Sequence, residues 1–144
     1  MTGATHLVTG AVIYRYGSSN TPYPYLLLLA FLSHFLLDAV PHYELSLNWN
    51  FVLAAAALIC LCRQGYVLKD YLIIAAGLMG VLADLNWLFG ISSSLSSLHS
   101  LIHFKHTYPV SPLLLFLELT IALICVYLLL RKPTAASELP EARG

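Results

Sequence analysis

Apolar runs separated by short polar stretches divide the chain into five helical segments. The first, about Thr2–Tyr16, is mixed in character and ends at Gly17-Ser18-Ser19-Asn20. The second, about Tyr23–Val40, contains LLLLAFLSHFLLDAV and closes at Pro41, which disfavours helix at the residue before it. An Ala-rich third covers about Asn50–Arg63, the fourth about Asp70–Gly90 and the fifth about Ser111–Leu130. A perpendicular bilayer span takes about 20 residues, with a range of about 17–25. Segments two, four and five reach that length. Segments one and three are shorter, and are expected to tilt little, sit partly in the interface or thin the bilayer. The pattern predicts an all-α fold, a polytopic membrane helical bundle of about four to five helices over residues 1–132. Pro133–Gly144 is polar and proline-containing, and is expected to form a disordered tail.

Composition supports the bilayer as solvent. Of 144 residues, 59% are hydrophobic and 10% charged, against about 45–50% and about 25% in soluble domains. A water-soluble bundle would have to hide several almost uncharged stretches in one small core. The net charge is zero with histidine neutral, and no basic run points to nucleic acid as a partner. The N-terminus lacks the positive region of a removable signal peptide. Cys60, Cys62 and Cys125 lie inside apolar runs and are read as packing residues; on a helix the first two point to nearly opposite sides.

Charge also orients the spans. Arg15, Arg63, Lys69, Arg131 and Lys132 all fall at one end of the alternating segments, Lys105 being the exception. The positive-inside rule then puts the C-terminus in the cytoplasm of a prokaryotic inner or plasma membrane, with the N-terminus outside. Tyrosines and tryptophans near the segment ends agree with this placement.

On that topology every histidine lies towards the outer face, although lysine and arginine alone set it. His34 and Asp38 are i,i+4 on segment two, with His42 in the loop beyond, and Asp84 lies in the last third of segment four. His99, His103 and His106 form one stripe if their stretch is helical, and His6 begins segment one. An ionisable group within the membrane is costly and normally functional. Imidazole with carboxylate suits zinc, and also iron, nickel or manganese. Eight candidate ligands exceed the four of a structural zinc site, so two ions about 3.5–4 Å apart and bridged by a carboxylate would use them more fully. Glu118, within segment five, is either a further acid of the site or a polar contact between helices.

Several motifs at these residues resemble the LexA-regulated family of inner-membrane, metal-dependent hydrolases. They are Thr5-His6-Leu7-Val8-Thr9-Gly10 as THxxxG, Ser33-His34-Phe35-Leu36-Leu37-Asp38 as SHxxxD, and Gly80-Val81-Leu82-Ala83-Asp84-Leu85-Asn86 for a helix ending in an acidic pair. His99–His106 loosely echoes a third, histidine-containing element. Ala83 and Asn86 stand where that family has a proline and a second acid. More distantly, the same residue types on helices are similar to those of zinc-dependent phospholipases C.

The resemblance implies a membrane-bound metal-dependent hydrolase acting at the outer face, on a phosphoester or another lipid head-group bond. Asp38, Asp84 and His103 are the expected catalytic residues, and His6, His34, Asp38, His42, Asp84, His99, His103 and His106 the expected ligands. Membrane lipid and a lipid or small-molecule phosphoester are the expected partners. A metal transporter or metal-binding membrane module is the alternative, which the absence of an inverted repeat disfavours. A structural role for the polar residues is the third reading, against which stands the small energy of intramembrane polar contacts, about 0.6 kcal/mol each.

Overall fold

The computed structural model describes residues 1–17, 21–43, 45–103 and 111–131. These form six helices and no strand: α1 Gly3–Tyr16, α2 Tyr23–Asp38, α3 Leu47–Leu68, α4 Leu72–Phe89, α5 Ser93–Ile102 and α6 Pro112–Leu130. The architecture is the expected all-α bundle. The tail from Lys132 onward, and with it the expectation of disorder there, lies outside the described residues.

Two lengths differ from expectation. The third segment is not short: α3 has 22 residues and joins α4 and α6 as the three helices long and apolar enough to cross a membrane. It gains a turn at each end, starting at the Ser46 cap and continuing through Gln64 and Gly65, both buried, to a left-handed Lys69 at φ 53°. Such a left-handed residue is a common way to end a helix. The second segment is not a full span: α2 stops at Asp38, at 16 residues. At 1.5 Å per residue that is about 24 Å, less than the hydrocarbon thickness of about 30 Å.

The mixed first segment is the centre of the bundle. Helix α1 packs against α2, α3, α4 and α6, which explains why apolar and small residues surround its axis. Its closest neighbour is α4, and glycines make that approach possible. A Cβ on Gly10 would come within 2.5 Å of the Ala76 carbonyl oxygen, and one on Gly80 would run into the His6 carbonyl. Small residues at such crossings let two backbones approach closely in a membrane. The Gly of the THxxxG motif therefore meets the Gly that opens the Asp84 motif.

A helix that starts inside the bundle needs partners for its first amides, because hydrocarbon offers none. Glu118 of α6 accepts from the Thr2 amide and, at 3.1 Å, from the Thr5 hydroxyl. Asn50 Oδ1 of α3 accepts from the Gly3 amide at 3.2 Å, and the Thr2 hydroxyl caps Thr5. Glu118 thus makes a polar contact between helices, one of the two roles its sequence position left open.

The other end of the bundle collects the basic residues. Arg15 donates to the carbonyls of Leu129 and Arg131, 2.7 Å each. The Tyr14 hydroxyl donates to both Asp70 oxygens, at 3.1 and 3.0 Å, while Asp70 caps the Leu72 amide. Arg15, the Lys69 turn and Arg131 therefore share one end, as the charge pattern required. The exposed surface carries large apolar residues such as Leu36, Ile59, Phe116 and Leu123. With three spans of this composition, the chain is a multi-pass membrane protein.

Candidate metal centre

Three local features bring the site residues to the end opposite Arg15. Helix α2 finishes with His34 and Asp38 one turn apart, and the chain then turns so that His42 folds back, buried, beneath it. Helix α4 presents Asp84 near its C-terminal end. The corner into α5 is stapled by Asn86, whose Nδ2 donates to the Ser92 carbonyl (3.0 Å) and Ser96 hydroxyl (2.9 Å) while its Oδ1 accepts from the Ser92 amide. That corner swings α5 over the site and buries His99.

Asp38 is the hub. Its Oδ1 accepts from the Met1 amine at 2.7 Å and lies 3.0 Å from His6 Nε2. Its Oδ2 faces the opposite way, 2.9 Å from His99 Nε2, 3.1 Å from His34 Nε2 and 3.8 Å from His103 Nε2. Asp84 Oδ1 lies 3.7 Å from both His34 Nε2 and His99 Nε2. Two groups of potential ligand atoms result, each lying within 4.8 Å: His34, Asp38, Asp84 and His99, and Asp38, His42 and His103. Asp38 belongs to both.

Backbone carbonyls orient two of the histidines. His34 Nδ1 lies 3.0 Å from the Gly80 carbonyl oxygen; a carbonyl only accepts, so Nδ1 carries the proton. Nε2 then points into the cluster, 3.1 Å from Asp38 Oδ2 and 3.7 Å from Asp84 Oδ1. A ring nitrogen this close to carboxylate oxygens has a cation between them, either a proton on the ring or a metal ion held by both. His42 repeats the pattern, its Nδ1 donating to the Val40 carbonyl at 2.8 Å and so leaving Nε2 as ligand atom. A histidine whose second nitrogen donates to a backbone carbonyl is the usual arrangement of a metal ligand, fixing tautomer and ring direction. Burial, reinforced by the positive Met1 amine, lowers the pKa of His42 and keeps it in the neutral, ligating form. The residues fit a divalent metal, and the buried His/Asp cluster can hold one.

Of the eight expected ligands, six fall into the two groups. His6 does not. It stands behind Asp38, its Nε2 on Oδ1, with its ring stacked 4.1 Å from that of His34. It orients a ligand and is not one of the grouped residues. The helical stripe from His99 to His106 is also shorter than expected, because α5 ends at Ile102 and His103 is its C-cap with extended ψ of 127°. His103 still reaches the cluster, its ring 5.0 Å from that of His42. His106 lies outside the described residues. The three cysteines are unbridged and belong to neither group; Cys125 is buried, in keeping with a packing role, whereas Cys62 is exposed.

Two positioning residues escaped the sequence reading, Gly80 and Asn86. Asn86 stands in an acidic-pair motif, yet its hydrogen bonds go to Ser92 and Ser96 at the α5 corner. No family model matches the chain, and searches of curated proteins and of solved structures likewise return no match.

Proposed function

We propose that this protein is a membrane-bound, metal-dependent hydrolase with a two-ion centre, cleaving a phosphoester or related head-group bond at the outer membrane face. The observation that carries the reading is the position of Asp38, shared by two ligand groups. A carboxylate common to two sets of imidazoles suits two ions about 3.5–4 Å apart. Zinc is the favoured ion, given three or more imidazoles and its readiness to take mixed nitrogen and oxygen ligands. When bound, such ions polarise a scissile group and bring the pKa of a water to roughly 7.

The chain's own residues do the rest. His34 and His42 are held by backbone carbonyls and supply nitrogen ligands that need not reorient. His6 and the Met1 amine fix Oδ1 of Asp38, so Oδ2 keeps its direction. Asp84 is the partly open acid of the cluster, its side chain about one third exposed at 32%. It and His103, 26% exposed, are therefore the groups placed to exchange a proton with substrate or water. The basic end of the bundle faces the cytoplasm in this reading, so the metal centre faces the outside of a prokaryotic inner or plasma membrane. The motifs shared with the LexA-regulated inner-membrane hydrolases support it.

The test is hydrolysis by the purified protein in detergent or vesicles, offered phospholipids and a soluble phosphodiester, before and after chelation and zinc replacement. Hydrolysis that chelation abolishes and zinc restores is the expected result. Zinc flux across reconstituted vesicles with no hydrolysis would support the transporter reading in its place.

A further inference from the structure

A groove of about 540 Å³ opens beside the metal centre. Its walls are apolar: Phe51 and Ala54 from α3, and Val81, Leu85 and Leu88 from α4. Its inner end is formed by Asp84, His99, His103 and His42, four of the grouped ligands. Ligand sites typically have volumes of about 300–1,000 Å³, with an apolar lining and a few placed polar groups.

Three observations say what occupies it. The groove runs between α3 and α4, both long and apolar enough to be spans, so its open side meets lipid. Phe51 and Trp87 on its rim are more than half exposed, at 52% and 64%. Among the described residues no lysine or arginine lines it, and the one cation that does, the Met1 amine, is already paired with Asp38 at 2.7 Å. Charge complementarity for a phosphate comes from metal held by the ligands at the inner end.

We propose that this groove receives an acyl chain of a bilayer phospholipid and delivers the lipid's phosphate to the metal centre. The proposal rests on the metal-site reading above and names its substrate class. The chain packs along Phe51, Ala54, Val81, Leu85 and Leu88, and the phosphate stops at Asp84 and His103, the two ligands with exposed side chains. The acyl chain passes from one hydrocarbon environment to another, so the gain comes from packing against the groove walls and from the phosphate at the metal centre, and lipids already in the bilayer are favoured over soluble esters.

The test uses the full chain in phosphatidylethanolamine vesicles with zinc, doped with phosphatidylglycerol carrying a mid-chain diazirine. After photolysis, labelled residues are mapped by mass spectrometry, with the lipid-facing residues Phe116 and Leu123 of α6 as internal standard. Expected is labelling concentrated on the α3–α4 groove, reduced by chelation. Filling the groove with Ala54→Phe or, independently, Leu88→Trp should bring that labelling down to the level of the lipid-facing Phe116 and Leu123. Unchanged metal content shows that each variant is folded. Labelling spread evenly over all lipid-facing helices, or unchanged by both filling variants, would overturn the proposal. Groove labelling without any hydrolysis would leave the docking site standing and remove the hydrolase reading, so the two failures are distinguishable.

Discussion

The His34 imidazole is held by the carbonyl of Gly80, 3.0 Å from its Nδ1, at the glycine where α4 lies against the backbone of His6 on α1. One position thus sets both the approach of two helices and the direction of a ligand lone pair. Gly80→Ala should separate α1 from α4, since its Cβ would meet the His6 carbonyl. We expect a loss of about 1–3 kcal/mol from overpacking, read as a lower melting temperature, with reduced metal content. Ala83→Gly, three residues further along α4 and adding no atom at the crossing with α1, should not reproduce the metal loss.

The two ligand groups predict a graded metal stoichiometry. Asp84→Asn and His103→Ala each remove a residue belonging to only one group. Each should lower the bound metal from about two ions to about one, measured by elemental analysis after size-exclusion chromatography. A variant that loses both ions together would show that the groups are not independent.

His6 should behave as a positioning residue. His6→Gln removes a ring that supports Oδ1 of Asp38 and leaves both ligand groups intact. Metal affinity should fall about 10–100-fold, with the full stoichiometry recovered at high zinc. Competition titration against a chromophoric chelator gives the number.

Glu118 makes a separate prediction. Its Oε1 accepts from the Thr2 amide and Thr5 hydroxyl, far from chemistry in role though near in sequence to nothing that marks it. Glu118→Ala leaves the buried Thr2 amide unpaired, while the Thr5 hydroxyl keeps its contact with that of Thr2 at 2.9 Å, and should cost about 1–3 kcal/mol with metal stoichiometry unchanged. Metal loss at retained fold would make Glu118 part of the site.

The sign of one pH effect follows from His42, whose pKa burial and the Met1 amine lower from 6.5. The unfolded chain then binds more protons at this residue than the native chain as pH falls below 6.5. Its contribution to stability is present above that value and is lost as pH falls towards the lowered native value. The groups facing it are the Met1 amine, Asp38, His103 and the Val40 carbonyl. Thermal melts of the metal-free protein between about pH 7 and about pH 5 should decline less steeply in His42→Gln than in the parent.

Much of the candidate site was legible because membrane-embedded charge is expensive, so each polar residue in an apolar run carries information. The i,i+4 spacing of His34 and Asp38 survives in α2, and the opposition of histidines to arginines survives as the two ends of the bundle. What was not legible depended on contacts between segments. The sequence of α1 looks like a weak span, because nothing in it says that four helices will surround it. His6 shares the histidine alphabet of the ligands, and only the placement of Asp38 Oδ1 separates its role from theirs. Gly80 and Asn86 act through a close backbone approach and a loop corner, neither of which has a periodicity. The length of α3 was hidden by Arg63 and Gln64, polar residues that a helix end near the interface tolerates.

Metal content of the purified chain tests the central claim most directly. Protein prepared with zinc present should carry about two ions per chain, and Asp38→Asn, which removes the shared carboxylate, should carry close to none while keeping its helical circular dichroism. A parent protein free of metal, or an Asp38→Asn variant with undiminished metal, would contradict it.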